Sequence, residues 1–282
     1  DSLGAVCETG EINPEKLNKM QRHIIENTRL GIPLLFVSES LHGLFCDGAS
    51  VFPQSISLGS TFDPELMEEI ASVIGKEAYI MGIRQTLAPN IDLSREPRWG
   101  RVEENYGEDP YLTAKMGAAY VRGLQSNGVA ACLKHYTAHG SPEAGLNLAP
   151  VHAGERELRD TFLPPFAAAV EAGAMSVMPA YSELDGMPLH ASRFLLTDVL
   201  RDELHFDGWT VSDWCGIQML ATFHHVADSR LNAGKTALHA GVDMEAPSAY
   251  GYGKEFLAAA EHGEVNLREI DDAVYRILLG KF

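Results

Sequence analysis

Apolar positions in this chain fall into short runs, and between the runs they recur with the spacing of one helical face. The runs cover 33–39, 85–90, 130–135, 175–181, 208–213 and 241–246. Each is shorter than a typical helix and is bounded by turn residues, the pattern of a buried strand. The spacing of Leu17, Met20, Ile24 and Ile25 predicts a helix over 14–29, ended by Gly31-Ile32-Pro33. Asp63-Pro64-Glu65 opens a second over 63–82, with Asp63 as its cap, and Asp109-Pro110 opens a third that extends to Ser126. Further helices are predicted over 155–172, bent near Pro164-Pro165, over 194–204, within 229–240, and over 254–261 and 266–279. Residues 1–14 read as polar and turn-like.

Strand and helix thus alternate six or seven times, with no repeat, low-complexity tract or linker. Such alternation means a parallel sheet with helical crossovers. No glycine-rich phosphate fingerprint follows any of the strands, which counts against a doubly wound dinucleotide fold. The predicted architecture is α/β, a (β/α)8-type TIM barrel over residues 1–282 as one domain. Because the count falls short of eight, the barrel is expected to be irregular or to lack its first β/α unit.

The residues at the strand ends change the picture. Glu39, Asn90 with Asp92, Lys134-His135, Tyr181, Asp213 and Glu245 all stand where an apolar run stops. In a barrel these ends converge on one face, the face that carries active sites. Asp213 closes the run Gly208-Trp209-Thr210-Val211-Ser212, and an unpaired carboxylate is costly there. It is read as a nucleophile, against the plainer reading of a cap for a following helix. With Lys134, His135 and an arginine nearby, and Tyr181 and Trp214 as aromatic walls, the pocket suits a hydroxyl-rich neutral ring. A carboxylate attacking a glycosidic carbon is the natural chemistry.

Composition narrows the partners. Apolar residues at 45% and charged residues at 22% are ordinary for a protein with a substantial core. A net charge of −17 offers no basic footprint for nucleic acid or an anionic membrane. No apolar run approaches the length of a membrane span. Cys7, Cys46, Cys132 and Cys215 have no metal-like spacing, and His139 lies in no HExxH context, so neither metal nor cofactor is implied. No signal peptide opens the chain, but a cleaved one leaves no trace; a periplasmic or secreted setting is favoured over the cytoplasm.

The stretch Ser94-Arg-Glu-Pro-Arg-Trp-Gly-Arg-Val-Glu-Glu-Asn-Tyr-Gly-Glu-Asp-Pro110 closely resembles the signature loop of glycoside hydrolase family 3. Glu39-Ser-Leu-His-Gly43, Lys134-His135, Met178-Pro-Ala-Tyr181 and Val211-Ser-Asp-Trp214 resemble further motifs of that family, in its order. The resemblance implies that Asp213 is the nucleophile of a covalent glycosyl–enzyme intermediate. It further implies that Glu39, Arg101, Lys134 and His135 bond the sugar hydroxyls, with Met178, Tyr181 and Trp214 forming the wall of the subsite. The implied activity is a retaining, exo-acting β-glycosidase that releases a terminal non-reducing β-D-glucose from a small β-glucoside or oligosaccharide. A β-xylosidase, a single-domain β-N-acetylhexosaminidase and a non-catalytic carbohydrate-binding barrel are the alternatives.

Two departures from the family pattern stand out. Leu146 occupies a position where many relatives carry an arginine. A retaining mechanism also needs a second carboxyl as acid/base; in two-domain relatives it comes from a following α/β sandwich domain, which is expected to be absent from this chain. Glu103, Glu104, Glu108 and Asp109 are read as loop ion pairs and a helix cap, Arg95 and Arg98 as loop braces, and His224-His225 as solvated surface. Glu245 is left outside the core set.

Overall fold

The computed structural model describes residues 4–8 and 10–282. Its sheet begins with β1 (Ala5–Cys7), β2 (Leu35–Ser38), β3 (Gln85–Thr86), β4 (Ala130–Tyr136) and β5 (Ser176–Pro179). A small antiparallel hairpin of β6 (Glu183–Leu184) and β7 (Met187–Pro188) follows, and then the sheet resumes with β8 (Trp209–Thr210). The six strands other than the hairpin pair in parallel and in chain order. Leu35, Val37, Leu87, Ala130, Cys132, Met178, Trp209 and Val211 share one inner cluster, so the sheet curls around its own inner face. Phe36, Ala131, Leu133 and Val177, the neighbours with opposite parity, pack outward against the helices. That two-residue alternation, apolar on both faces, is why the strands read as continuous apolar runs.

The helices are α1 (Pro14–Asn27), α2 (Ser55–Gly59), α3 (Pro64–Ile80), α4 (Pro110–Gln125), α5 (Glu155–Glu157), α6 (Leu163–Glu171), α7 (Gly216–Thr222), α8 (Arg230–Ala240), α9 (Lys254–Glu261) and α10 (Leu267–Lys281). Asn13, Asp63, Asp109 and Ser229 each accept a backbone N–H of the first turn that follows, so α1, α3, α4 and α8 start where side-chain caps permit. α3 and α4 approach closely because glycine stands at their crossing. A Cβ at Gly75 would lie 2.6 Å from the Leu124 carbonyl, and one at Gly123 would lie 2.2 Å from that of Glu68.

The structure corrects several expectations. Part of the segment read as turn-like is β1, whose three residues are too few for an alternation to register; residues 1–3 and 9 of that segment lie outside the described residues. The predicted helix over 155–172 is α5 and α6 joined by a π-helical turn at Leu158–Phe162, because Pro164 and Pro165 lack the N–H groups an unbroken helix needs. Residues 194–204 are also π-helical, over Phe194–Glu203. The strand expected at 241–246 is reduced to one parallel bridge between Val211 and Met244. There the Asp243 carboxylate takes the Thr210 N–H at 2.8 Å, a donor that a longer ladder would need. Among the described residues no ladder joins this stave to β1, and the barrel is irregular, as its count predicted.

Candidate active site

Strand parity carries the pocket. Val37 leads inward to Glu39, Cys132 to Lys134 and Val211 to Asp213, so each polar residue continues the inner phase of its strand. All eight residues singled out from the sequence, Glu39, Arg101, Lys134, His135, Met178, Tyr181, Asp213 and Trp214, line one cavity of about 1320 Å³. Cys7, Gln85, Glu245 and apolar residues of α9 and α10 extend it. The Lys134–His135 peptide is cis.

Asp213 is buried, and it does not cap the helix that follows. α7 begins after Cys215, whereas Asp213 Oδ1 accepts the amide of its own neighbour Trp214 at 2.7 Å. Asp213 Oδ2 has no hydrogen-bond partner and lies 3.8 Å from His135 Nε2. Lys134 and Arg101 favour the ionised form of this carboxylate. Burial outweighs them and pushes its pKa up to about 6, against the Trp214 amide, the Tyr181 hydroxyl and the two cations. It is therefore mainly ionised at neutral pH, yet close to its titration range.

The cations are themselves held. Lys134 Nζ donates to Glu39 at 2.9 Å. Arg101 forms a two-bond fork with Glu104, both bonds at 2.8 Å, and its guanidinium carbon lies 5.8 Å from the centre of the Trp99 ring. Asn90, beyond β3 in an isolated bridge with Lys134, supports Glu104. The Arg101 fork holds Glu104 below the usual carboxylate range despite its burial. Asp109 caps α4 and Arg98 pairs with Glu96 on the surface, as the loop reading anticipated. Trp214 is 47% exposed, which leaves a ring face for a ligand.

Three residues outside the predicted set complete the surroundings. Asp92, at 2.7 Å from His135 Nδ1, stands at a strand end and carried a visible signal. His190 carried none: it is buried between the hairpin and the 194–203 π-helix, and its Nε2 accepts the Asp213 amide at 3.0 Å. Burial pushes its pKa down to about 3, so it stays neutral. A Cβ at Gly216 would lie 2.1 Å from that same nitrogen, so the first turn of α7 admits only glycine beside it. Asp243 accepts from Arg201, Arg276 and Thr210 behind β8. His224 corrects its reading as solvated surface. Its side chain is 4% exposed and its Nε2 meets the Tyr181 carbonyl at 2.9 Å, whereas His225 is exposed.

The family model described as "Glycosyl hydrolase family 3 N terminal domain" matches residues 3–279. The chain belongs to glycoside hydrolase family 3. Among family 3 relatives, it is 39% identical over 293 residues to a β-xylosidase of Formosa agariphila, covering 95% of this chain and 40% of that protein. It is 36% identical to a periplasmic β-glucosidase of Salmonella typhimurium, with 99% of this chain and 36% of the relative covered. The crystal structure of a β-glucosidase from Listeria innocua in complex with isofagomine superposes with a TM-score of 0.91 at 36% identity, over 99% of this chain and 39% of that one. The family 3 chain described here thus spans 36–40% of the length of these relatives.

Proposed function

We propose that this chain is the nucleophile-bearing barrel of a retaining, exo-acting β-glycosidase, and that its sugar is a terminal non-reducing β-D-glucose. The observation that carries this reading is Asp213, whose unpartnered Oδ2 sits buried among Arg101, Lys134, His135 and Tyr181 at the end of β8. In the reaction, the Asp213 carboxylate attacks the anomeric carbon as the glycosidic bond breaks, forming a glycosyl ester that water then hydrolyses. Glu39, Lys134 and Arg101 hold the hydroxyls, His135 acts on them through Arg101 because both its ring nitrogens are engaged, and Trp214 offers its exposed face to the ring. Placement of the ring against Asp213 supplies orientation, and the surrounding dipoles act on charge that develops in the transition state.

The acid/base is assigned to a polypeptide beyond this chain, in a following α/β sandwich domain. Each other carboxylate lining the cavity is already engaged: Glu39 with Lys134, Asp243 with two arginines, and Glu245 with the amides of Gly251 and Tyr252. The relatives' greater length supports the same view. A periplasmic or secreted location is proposed from the relative named periplasmic; among the described residues, no helix is long and apolar enough to cross a membrane.

Xylose is the second reading, because a β-xylosidase and a β-glucosidase match at 39% and 36% identity. Both readings are tested with 2-deoxy-2-fluoro-β-glucosyl and β-xylosyl reagents carrying a dinitrophenolate leaving group, which departs without an acid. Peptide mapping by mass spectrometry should find the sugar on Asp213, with the glucosyl reagent reacting faster. Label on another residue, or none, overturns the mechanism; faster xylosyl labelling moves the assignment to a β-xylosidase.

A further inference from the structure

We propose that Asp92 is a positioning residue that fixes His135 as the Nδ1–H tautomer, so that its Nε2 lone pair anchors Arg101 beside Asp213. Hydrogen-bond polarity carries the argument. Arg101 Nη2 lies 3.0 Å from His135 Nε2, and a guanidinium only donates, so Nε2 is the acceptor and bears no proton. The imidazole proton therefore sits on Nδ1, which faces Asp92 Oδ2 at 2.7 Å. The same oxygen accepts the His135 backbone N–H at 3.2 Å, so both the ring and the peptide that carries it are held by one atom. Both side chains are fully enclosed, at 1% and 0% exposure.

The consequence reaches the nucleophile. The opposite tautomer would set an N–H against the guanidinium, donor against donor, and drive Arg101 away from Asp213. A protonated imidazole would do the same. Burial together with the nearby cations holds His135 well below its ordinary pKa, so the ring remains neutral. Asp92 is not among the residues that line the cavity. Its effect passes through His135 to Arg101, and from Arg101 to the charge state and placement of Asp213. The catalytic consequence rests on the glycosidase reading above; the tautomer does not.

The test joins NMR with trapping kinetics on the 282-residue chain. Long-range 15N–1H correlations, assigned with His135→Gln, should show a protonated Nδ1 and a pyridine-like Nε2 in the wild type. Asp92→Leu removes the acceptor and should move the proton to Nε2. Trapping by the dinitrophenyl 2-deoxy-2-fluoroglucoside should then slow by roughly ten- to a hundredfold, the cost of misplacing a reacting group by up to an ångström. Asp92→Asn can still present an oxygen to both donors, so it should keep the Nδ1–H spectrum and regain most of the lost rate. A protonated Nε2 in the wild type, an unchanged tautomer in Asp92→Leu, or a swapped one in Asp92→Asn overturns the proposal. Should Asp92→Leu fail to fold, the wild-type and Asp92→Asn spectra decide the matter. If the wild type is not labelled at Asp213, the glycosidase reading fails while the spectra still judge Asp92.

Discussion

At the residue scale, Asp213 is set between two opposed influences. Burial favours its neutral acid, and the Trp214 amide, Tyr181, Lys134 and Arg101 favour its anion. Attack in the proposed reaction requires the anion, so the trapping rate should rise as pH passes about 6 and level off above it. Lys134→Met removes one of the restraining charges and should move that midpoint upward by about one pH unit. A midpoint at or below the wild-type value would show that Lys134 does not act on Asp213. Of the eight residues singled out, all but Met178, which lies within β5, stand at or just past a strand end or in the arginine-rich loop, and that placement was legible in the sequence. The value near 6 was not legible, since the depth of burial is a property of the folded pocket.

At the element scale, β8 is only two residues long and depends on what lies behind it. Asp243 joins it to the 194–203 π-helix through Arg201 and to α10 through Arg276, and its carboxylate also takes the Thr210 amide. Removing one partner of such a buried set strands the others, at a cost of about 3–5 kcal/mol. Asp243→Ala should lower the urea-unfolding free energy by that amount; a change within the scatter of a surface substitution would deny Asp243 this role. In the sequence Asp243 lay inside a segment read as an ordinary strand. Its partners are 42 and 33 residues away, and nothing local points to them. The short β1 was missed for a related reason: pairing with β2, not its own pattern, makes it a strand.

At the scale of the whole molecule, the buried acids tie stability to pH. Asp92 and Asp213 titrate near 8 and 6 in the folded chain, both above the ordinary aspartate value of 3.8. The native state therefore holds more protons than the unfolded state between those values. Their contribution is complete below about pH 4 and is lost as pH rises through 6 and 8. Asp92→Asn cannot lose that proton, so its urea midpoint should gain on the wild type between pH 5 and pH 8; a constant difference would contradict the burial of Asp92 as an acid. Alternating strand and helix segments, the α/β class and the polar strand ends were determined by the sequence itself, because they follow from periods of two and 3.6 residues along the backbone. Strand parity likewise sends Glu39, Lys134 and Asp213 inward. Only the tertiary structure decided that Asp213 does not cap a helix, that His190 holds its amide, and that Asp92 sets the tautomer beside it. Those outcomes depend on hydrogen bonds across 23 and 43 residues, and such bonds are chosen by packing and enclosure, which have no period along the chain.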